Sequence, residues 1–162
     1  DIRPYNQFTQ EAADLLADRA ALYLDQVAGS SSLQPHNWVG QHIPLHATSN
    51  GKVLLSGLDD DELVRTLGDD LPAYTDATVT DLELLRKEVA EVRERGFSTA
   101  VDELEVGLSA VSAPVFDNAG AAIAALSISG PTTRLTADRI DALAPLLKNE
   151  AVNLSRRLRG AA

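Results

Sequence analysis

The spacing of apolar residues divides the chain into short elements of mixed type. Residues 9–16 have helical character, with Leu15, Leu16 and several alanines, and Asp18-Arg19 breaks it. Residues 20–27 alternate well enough for a strand. The cluster Gly29-Ser30-Ser31-Ser32 reads as a turn. Residues 33–39, which carry the only tryptophan, Trp38, read as a weaker strand. Gly40 and Pro44 bracket an irregular segment. Thr48 or Ser49 is placed to cap a short helix through Lys52, Val53, Leu54 and Leu55, which Gly57 ends. Asp59-Asp60-Asp61-Glu62 stands directly ahead of Leu63, Val64 and Leu67, where carboxylates offset the positive end of a helix dipole. The clearest helix follows. Asp81 caps it, Leu82, Leu85, Val89 and Val92 form its apolar stripe, and Gly96 is its left-handed stop.

The period then changes. Residues 97–101, 107–116 and 121–129 read as strands, the last two joined by the turn Asp117-Asn118-Ala119-Gly120 into an antiparallel hairpin. Pro114 implies a bulge or an edge position. Gly130-Pro131 is expected to end the sheet. Thr136 caps a closing helix with Ile140, Leu143, Leu147, Leu154 and Leu158 on one stripe, and Pro145 is expected to kink or split it. Hairpins without regular strand–helix alternation predict an α+β fold with an antiparallel sheet.

Composition narrows the function classes. The 162 residues, 44% hydrophobic and 23% charged, fit one globular domain over residues 1–162. No apolar run approaches the length of a membrane-spanning helix, and Asp1-Ile2-Arg3-Pro4 does not read as a signal peptide. The start without methionine suggests an excised domain. A net charge of −10 repels phosphate backbones, so this piece is not expected to bind DNA or an anionic membrane by itself. Arg156-Arg157-Leu158-Arg159 fits a helix C-terminus instead. The absence of cysteine excludes thiolate chemistry and Cys-ligated metal, and agrees with a cytoplasmic location.

Candidate chemistry is sparse. His42 and His46 have the spacing of a helical metal pair, but Pro44 between them argues against the helix and no third ligand is near, so no metal is expected. Asn50-Gly51-Lys52 lacks the other residues of a nucleotide-binding loop. What remains is a helix start at Ser49, Asn50 and Gly51 whose N–H groups can face a ligand carboxylate. Ser127 and Ser129 share one strand face, with Leu126 and Ile128 on the other. Asp102-Glu103-Leu104-Glu105 is an acidic cluster at a strand end. A small hydrolase or lyase using His46 with Asp102 or Glu103 is the rival reading; it needs a base, an orienting group and an electrophile donor to converge.

Several segments together carry a family resemblance. They are Pro44-Leu45-His46-Ala47-Thr48-Ser49-Asn50-Gly51-Lys52, Leu85-Arg86 through Val92-Arg93-Glu94-Arg95-Gly96-Phe97, Asp102-Glu103-Leu104-Glu105-Val106-Gly107-Leu108, Ala113-Pro114-Val115-Phe116-Asp117, and Ala124-Ala125-Leu126-Ser127-Ile128-Ser129-Gly130-Pro131 with Arg134-Leu135-Thr136. In this order they resemble the C-terminal effector-binding domain of IclR-type bacterial transcriptional regulators, over about residues 23–158. The resemblance implies a GAF-like domain, a curved antiparallel sheet flanked by helices. It implies a sensor of an organic or aromatic acid, without cofactor or turnover. It also implies self-association as a dimer or tetramer, and DNA contact only through a winged helix-turn-helix domain absent from this sequence.

Carried over by position, effector contacts fall on Thr48, Ser49 and Asn50, with His46 and Gly51 in the same segment, and on Ser127 and Ser129. Ala100 and Ala110 stand where the family often has an Asp and a Cys. Trp38 and Leu108 are candidates to line the same space. Two alanines there remove polarity and make room, which favours an aromatic or medium-chain acid over a small keto acid.

Overall fold

A computed structural model describes residues 20–22, 24 and 39–160. The helix expected over residues 9–16, the turn at 29–32 and Trp38 lie outside the described residues. Strand β1 (Ala20–Leu22) pairs antiparallel with β2 (His42–Pro44). Helices α1 (Ser49–Ser56), α2 (Asp60–Leu67) and α3 (Leu82–Arg95) follow, then β3 (Ser98–Val101), β4 (Leu108–Phe116), β5 (Ala122–Pro131) and the closing helix α4 (Ala137–Gly160). No helix among these residues is long and apolar enough to cross a membrane.

The α+β class stands, but the GAF-like curved sheet does not. The described strands form two small antiparallel sheets, β1–β2 and β3–β4–β5. The first ladder is three residues long. Pro44 has no N–H with which to extend it, and the chain turns at once into α1. That helix then lies against β4 and β5 and covers one face of the second sheet.

Local chemistry sets the helix ends where the residue types place them. Thr48 Oγ1 accepts from Gly51 N–H at 3.1 Å and donates to the Pro44 carbonyl at 2.8 Å. Asp59 and Glu62 form a reciprocal capping box on α2. Asp81 caps α3, which Gly96 stops at φ +77°, a backbone that glycine adopts without strain. Gly57 ends α1 with an ordinary right-handed backbone.

Two apolar clusters hold the elements. Leu55 of α1, Leu63 and Leu67 of α2, and Leu85 and Val89 of α3 close over Ala21, Ile43 and Leu45. Val111, Ala113 and Val115 of β4 meet α4. Fully burying each Leu or Val contributes roughly 1.5–3 kcal/mol. The inward stripe of α4 is Ile140, Ala144, Leu147, Ala151 and Ser155; of the expected row, Ile140 and Leu147 are buried, Leu143 and Leu158 pack half-buried against the same cluster, and only Leu154 is exposed. Ser155 Oγ accepts from Phe116 N–H at 2.9 Å, beside the register shift between Val115 and Phe116. It thereby satisfies a donor at the bulge. Pro145 sits inside one unbroken helix. Opposite Pro114, β3 has already ended, because its Ser98 pairs with Ser112; beyond it, among the described residues, β4 pairs with β5 alone.

Candidate functional site

Strand register builds a floor of small residues beneath α1. Ala100 pairs with Ala110, which pairs with Ser129, so the three form one row across β3, β4 and β5. Directly opposed residues of paired strands share a face. The next row is Ser98, Ser112 and Ser127. Ser112 ties this floor to the helix: its Oγ lies 2.6 Å from Ser49 Oγ and donates to Asn50 Oδ1 at 2.7 Å. All three side chains are buried. Ser98 Oγ is buried without a partner among the described residues.

A cleft opens between this floor and the start of α1. Ile43, Ala47, Thr48, Ser49, Asn50, Ala100, Glu103, Leu104, Leu108, Ala110 and Ser129 line it, around a void of about 30 Å³. That is room for roughly one water molecule. Gly51 N–H is taken by Thr48 Oγ1, and Lys52 N–H by the Thr48 carbonyl. The amides of Ser49 and Asn50, first in the helix, have no partner among the described residues. They are donors at the positive end of the helix dipole.

Of the residues singled out in the sequence, Thr48, Ser49, Asn50, Ala100, Leu108, Ala110 and Ser129 line this cleft. His46, Gly51 and Ser127 do not line the cleft. His46 is buried, bonds through Nε2 to the Pro72 carbonyl at 2.9 Å, and lies with its ring centroid 5.8 Å from that of Tyr74. Burial holds its imidazole below the ordinary value, with the Lys52 charge acting the same way against the Pro72 hydrogen bond. Gly51 is where α1 crosses the chain that precedes it: a β-carbon there would run into the Leu45 carbonyl. Ser127 lies opposite Ser112, one row from the cleft floor.

Lys52 and Glu103 form a centre that sequence reasoning missed. Lys52 is 1% exposed. Its Nζ donates to both carboxylate oxygens of Glu103 at 2.7 Å and to Glu88 Oε2 at 2.6 Å. Burial pushes the Glu103 carboxyl up; Lys52 opposes that rise and the Glu88 charge adds to it. Asp102 is a turn builder. It holds φ +58°, and its Oδ1 accepts from Gly107 N–H at 2.7 Å and Thr132 Oγ1 at 2.9 Å. No hydrogen bond joins His46 to Asp102 or Glu103 among the described residues, so the groups of the hydrolase reading do not converge.

Comparison with known proteins bears on the same region. Residues 6–156 match the family model described as "Bacterial transcriptional regulator IclR C-terminal". The HTH-type transcriptional repressor AllR of Salmonella paratyphi A is 38% identical over 121 residues, which are 74% of this chain and 44% of AllR. The chain thus spans less than half the length of that relative. A crystal structure of a transcriptional regulator, RHA06195 from Rhodococcus, superimposes with a TM-score of 0.82 at 29% identity, covering 94% of this chain and 68% of that one. The inducer-binding domain of PobR from Acinetobacter, a double mutant in complex with 3-hydroxybenzoic acid, gives 0.72 at 29% identity, covering 94% and 98%. The shared domain is regulatory and not an enzyme.

Proposed function

Because the chain belongs to the IclR C-terminal family of bacterial transcriptional regulators, we propose that the cleft between α1 and the sheet binds an organic acid. Its occupation then regulates DNA binding by a helix-turn-helix segment elsewhere in the polypeptide, in the cytoplasm. The observation that carries this reading is the row Ala100, Ala110 and Ser129 lying beneath the unpartnered amides of Ser49 and Asn50. A carboxylate at those amides meets two N–H donors and the helix dipole, with Ser129 Oγ as a third donor. Ile43, Ala47, Leu104 and Leu108 offer apolar surface to the rest of the ligand.

The ligand class follows from that wall. Alanine at 100 and 110 gives apolar contact and no hydrogen bond, so an aromatic or medium-chain acid is preferred over a pyruvate-sized one. The 3-hydroxybenzoic acid bound by the inducer-binding domain of PobR supports the same class. The void of about 30 Å³ is smaller than any such acid, so binding moves a wall. Leu104 and Leu108 flank the exposed segment Glu105-Val106-Gly107 and are the residues that give way. Exposed Leu146, Val152 and Leu154 on α4 support self-association as a dimer or tetramer.

Calorimetry with benzoate and pyruvate tests the reading. Benzoate is expected to bind more tightly. Micromolar binding of pyruvate with no heat from benzoate would reverse the class.

A further inference from the structure

Glu103 is the one ionisable side chain lining the cleft among the described residues, and its side chain is only 10% exposed. Its counterion is spent. An ammonium has three donors, and Lys52 directs them to Glu103 Oε1, Glu103 Oε2 and Glu88 Oε2. Lys52 therefore has no N–H left for a ligand. Lys52 is shared between Glu103 and the solvent-facing Glu88, so its charge is not devoted to Glu103 alone. A carboxylate offers about four lone-pair sites; Lys52 occupies two and the Val101 backbone a third, which leaves one for a ligand.

We propose that Glu103 selects acids that also carry a hydroxyl, the hydroxyl donating to Glu103 while the ligand carboxylate takes the α1 amides. This rests on the reading of the cleft as an acid site. A ligand that turns only C–H groups toward Glu103 strips water from a buried carboxylate and returns no donor, which is costly. A hydroxyl replaces the lost water, and its hydrogen bond to an ionised acceptor is among the stronger kinds. Burial displaces the Glu103 carboxyl upward against the hydrogen bonds of Lys52 and the Val101 backbone, as desolvation of a carboxylate does. The apolar walls fix where the ligand lies; Glu103 discriminates what stands at its far end.

The test is calorimetry on the 162-residue chain with two matched pairs, benzoate with 3-hydroxybenzoate and hexanoate with 6-hydroxyhexanoate, plus 3-methoxybenzoate. In at least one pair the hydroxy acid is expected to bind about 10-fold or more tightly, the equivalent of a hydrogen bond to a charged group. The methoxy compound, which cannot donate, is expected to bind no better than benzoate. In Glu103→Gln, which keeps the shape and removes the charge, the preference is expected to collapse mainly through weaker binding of the hydroxy acid. Equal affinities within both pairs would overturn the role of Glu103 while leaving the acid site intact, as would an unchanged preference in Glu103→Gln. No binding by any of the five acids would overturn the acid reading and this one with it. If Glu103→Gln does not fold, the wild-type ratios and the methoxy compound decide.

Discussion

Lys52 Nζ lies 2.7 Å from each carboxylate oxygen of Glu103, a contact that joins α1 to the β3–β4 connection across 51 residues of chain. Both side chains are buried. Removing one partner of such a pair leaves an uncompensated buried charge, whereas removing both is often tolerated. Lys52→Met is therefore expected to destabilise the fold by about 3 kcal/mol. Lys52→Met combined with Glu103→Leu is expected to recover most of that loss. Urea denaturation of the two single variants and the double variant measures the coupling; additive effects would contradict it.

His46 gives the fold a pH dependence of defined sign. Its native pKa lies below the ordinary 6.5, first through burial and then through Lys52. Between the native and ordinary values the unfolded chain binds more protons, so the stability held above about pH 6.5 falls as the pH drops. Glu103, raised above 4.5, acts oppositely at lower pH: its burial penalty is relieved as the native carboxyl takes up its proton. Urea midpoints at pH 7.5 and 5.5 are expected to differ more for the wild type than for His46→Gln. Equal differences would show that His46 does not titrate with folding.

Gly51 tests the close approach of α1 to the chain before it. A β-carbon there meets the Leu45 carbonyl and Cα, and neither can move aside as a flexible side chain would. Gly51→Ala, favourable for helix propensity alone, is expected to lower stability by about 1–3 kcal/mol through overpacking. A thermal melt that rises or holds would contradict this contact.

How much of this was legible in the sequence depends on the range of the interaction. Thr48, Asp59, Asp81 and Gly96 act on backbone within a few residues of themselves, and each ends a helix where its type suggests. The two-residue period of β5 placed Ser127 and Ser129 on one face, away from Leu126 and Ile128. Period alone could not tell that Ser129 borders the cleft while Ser127 faces Ser112, because that depends on where α1 lands. The expected large residues of α4 mark its inward side except at Leu154, but Ala144, Ala151 and Ser155, which also face inward, are too small to register as a stripe. The contact between Lys52 and Glu103 carries no local signal, because the two are 51 residues apart and each sits in a segment with a sufficient local reading. The curved sheet came from the resemblance, and the described strands, broken at Pro44, form two small sheets instead.

The most direct test of the acid site separates its two serines. Calorimetry with 3-hydroxybenzoate should give weaker binding to Ser129→Ala by about 0.5–1.5 kcal/mol for a neutral hydrogen bond, or up to about 3 kcal/mol with a ligand carboxylate. Ser127→Ala should bind as the wild type does. Loss of affinity in Ser127→Ala alone, or an unchanged affinity in Ser129→Ala, would place the ligand elsewhere than beneath the start of α1.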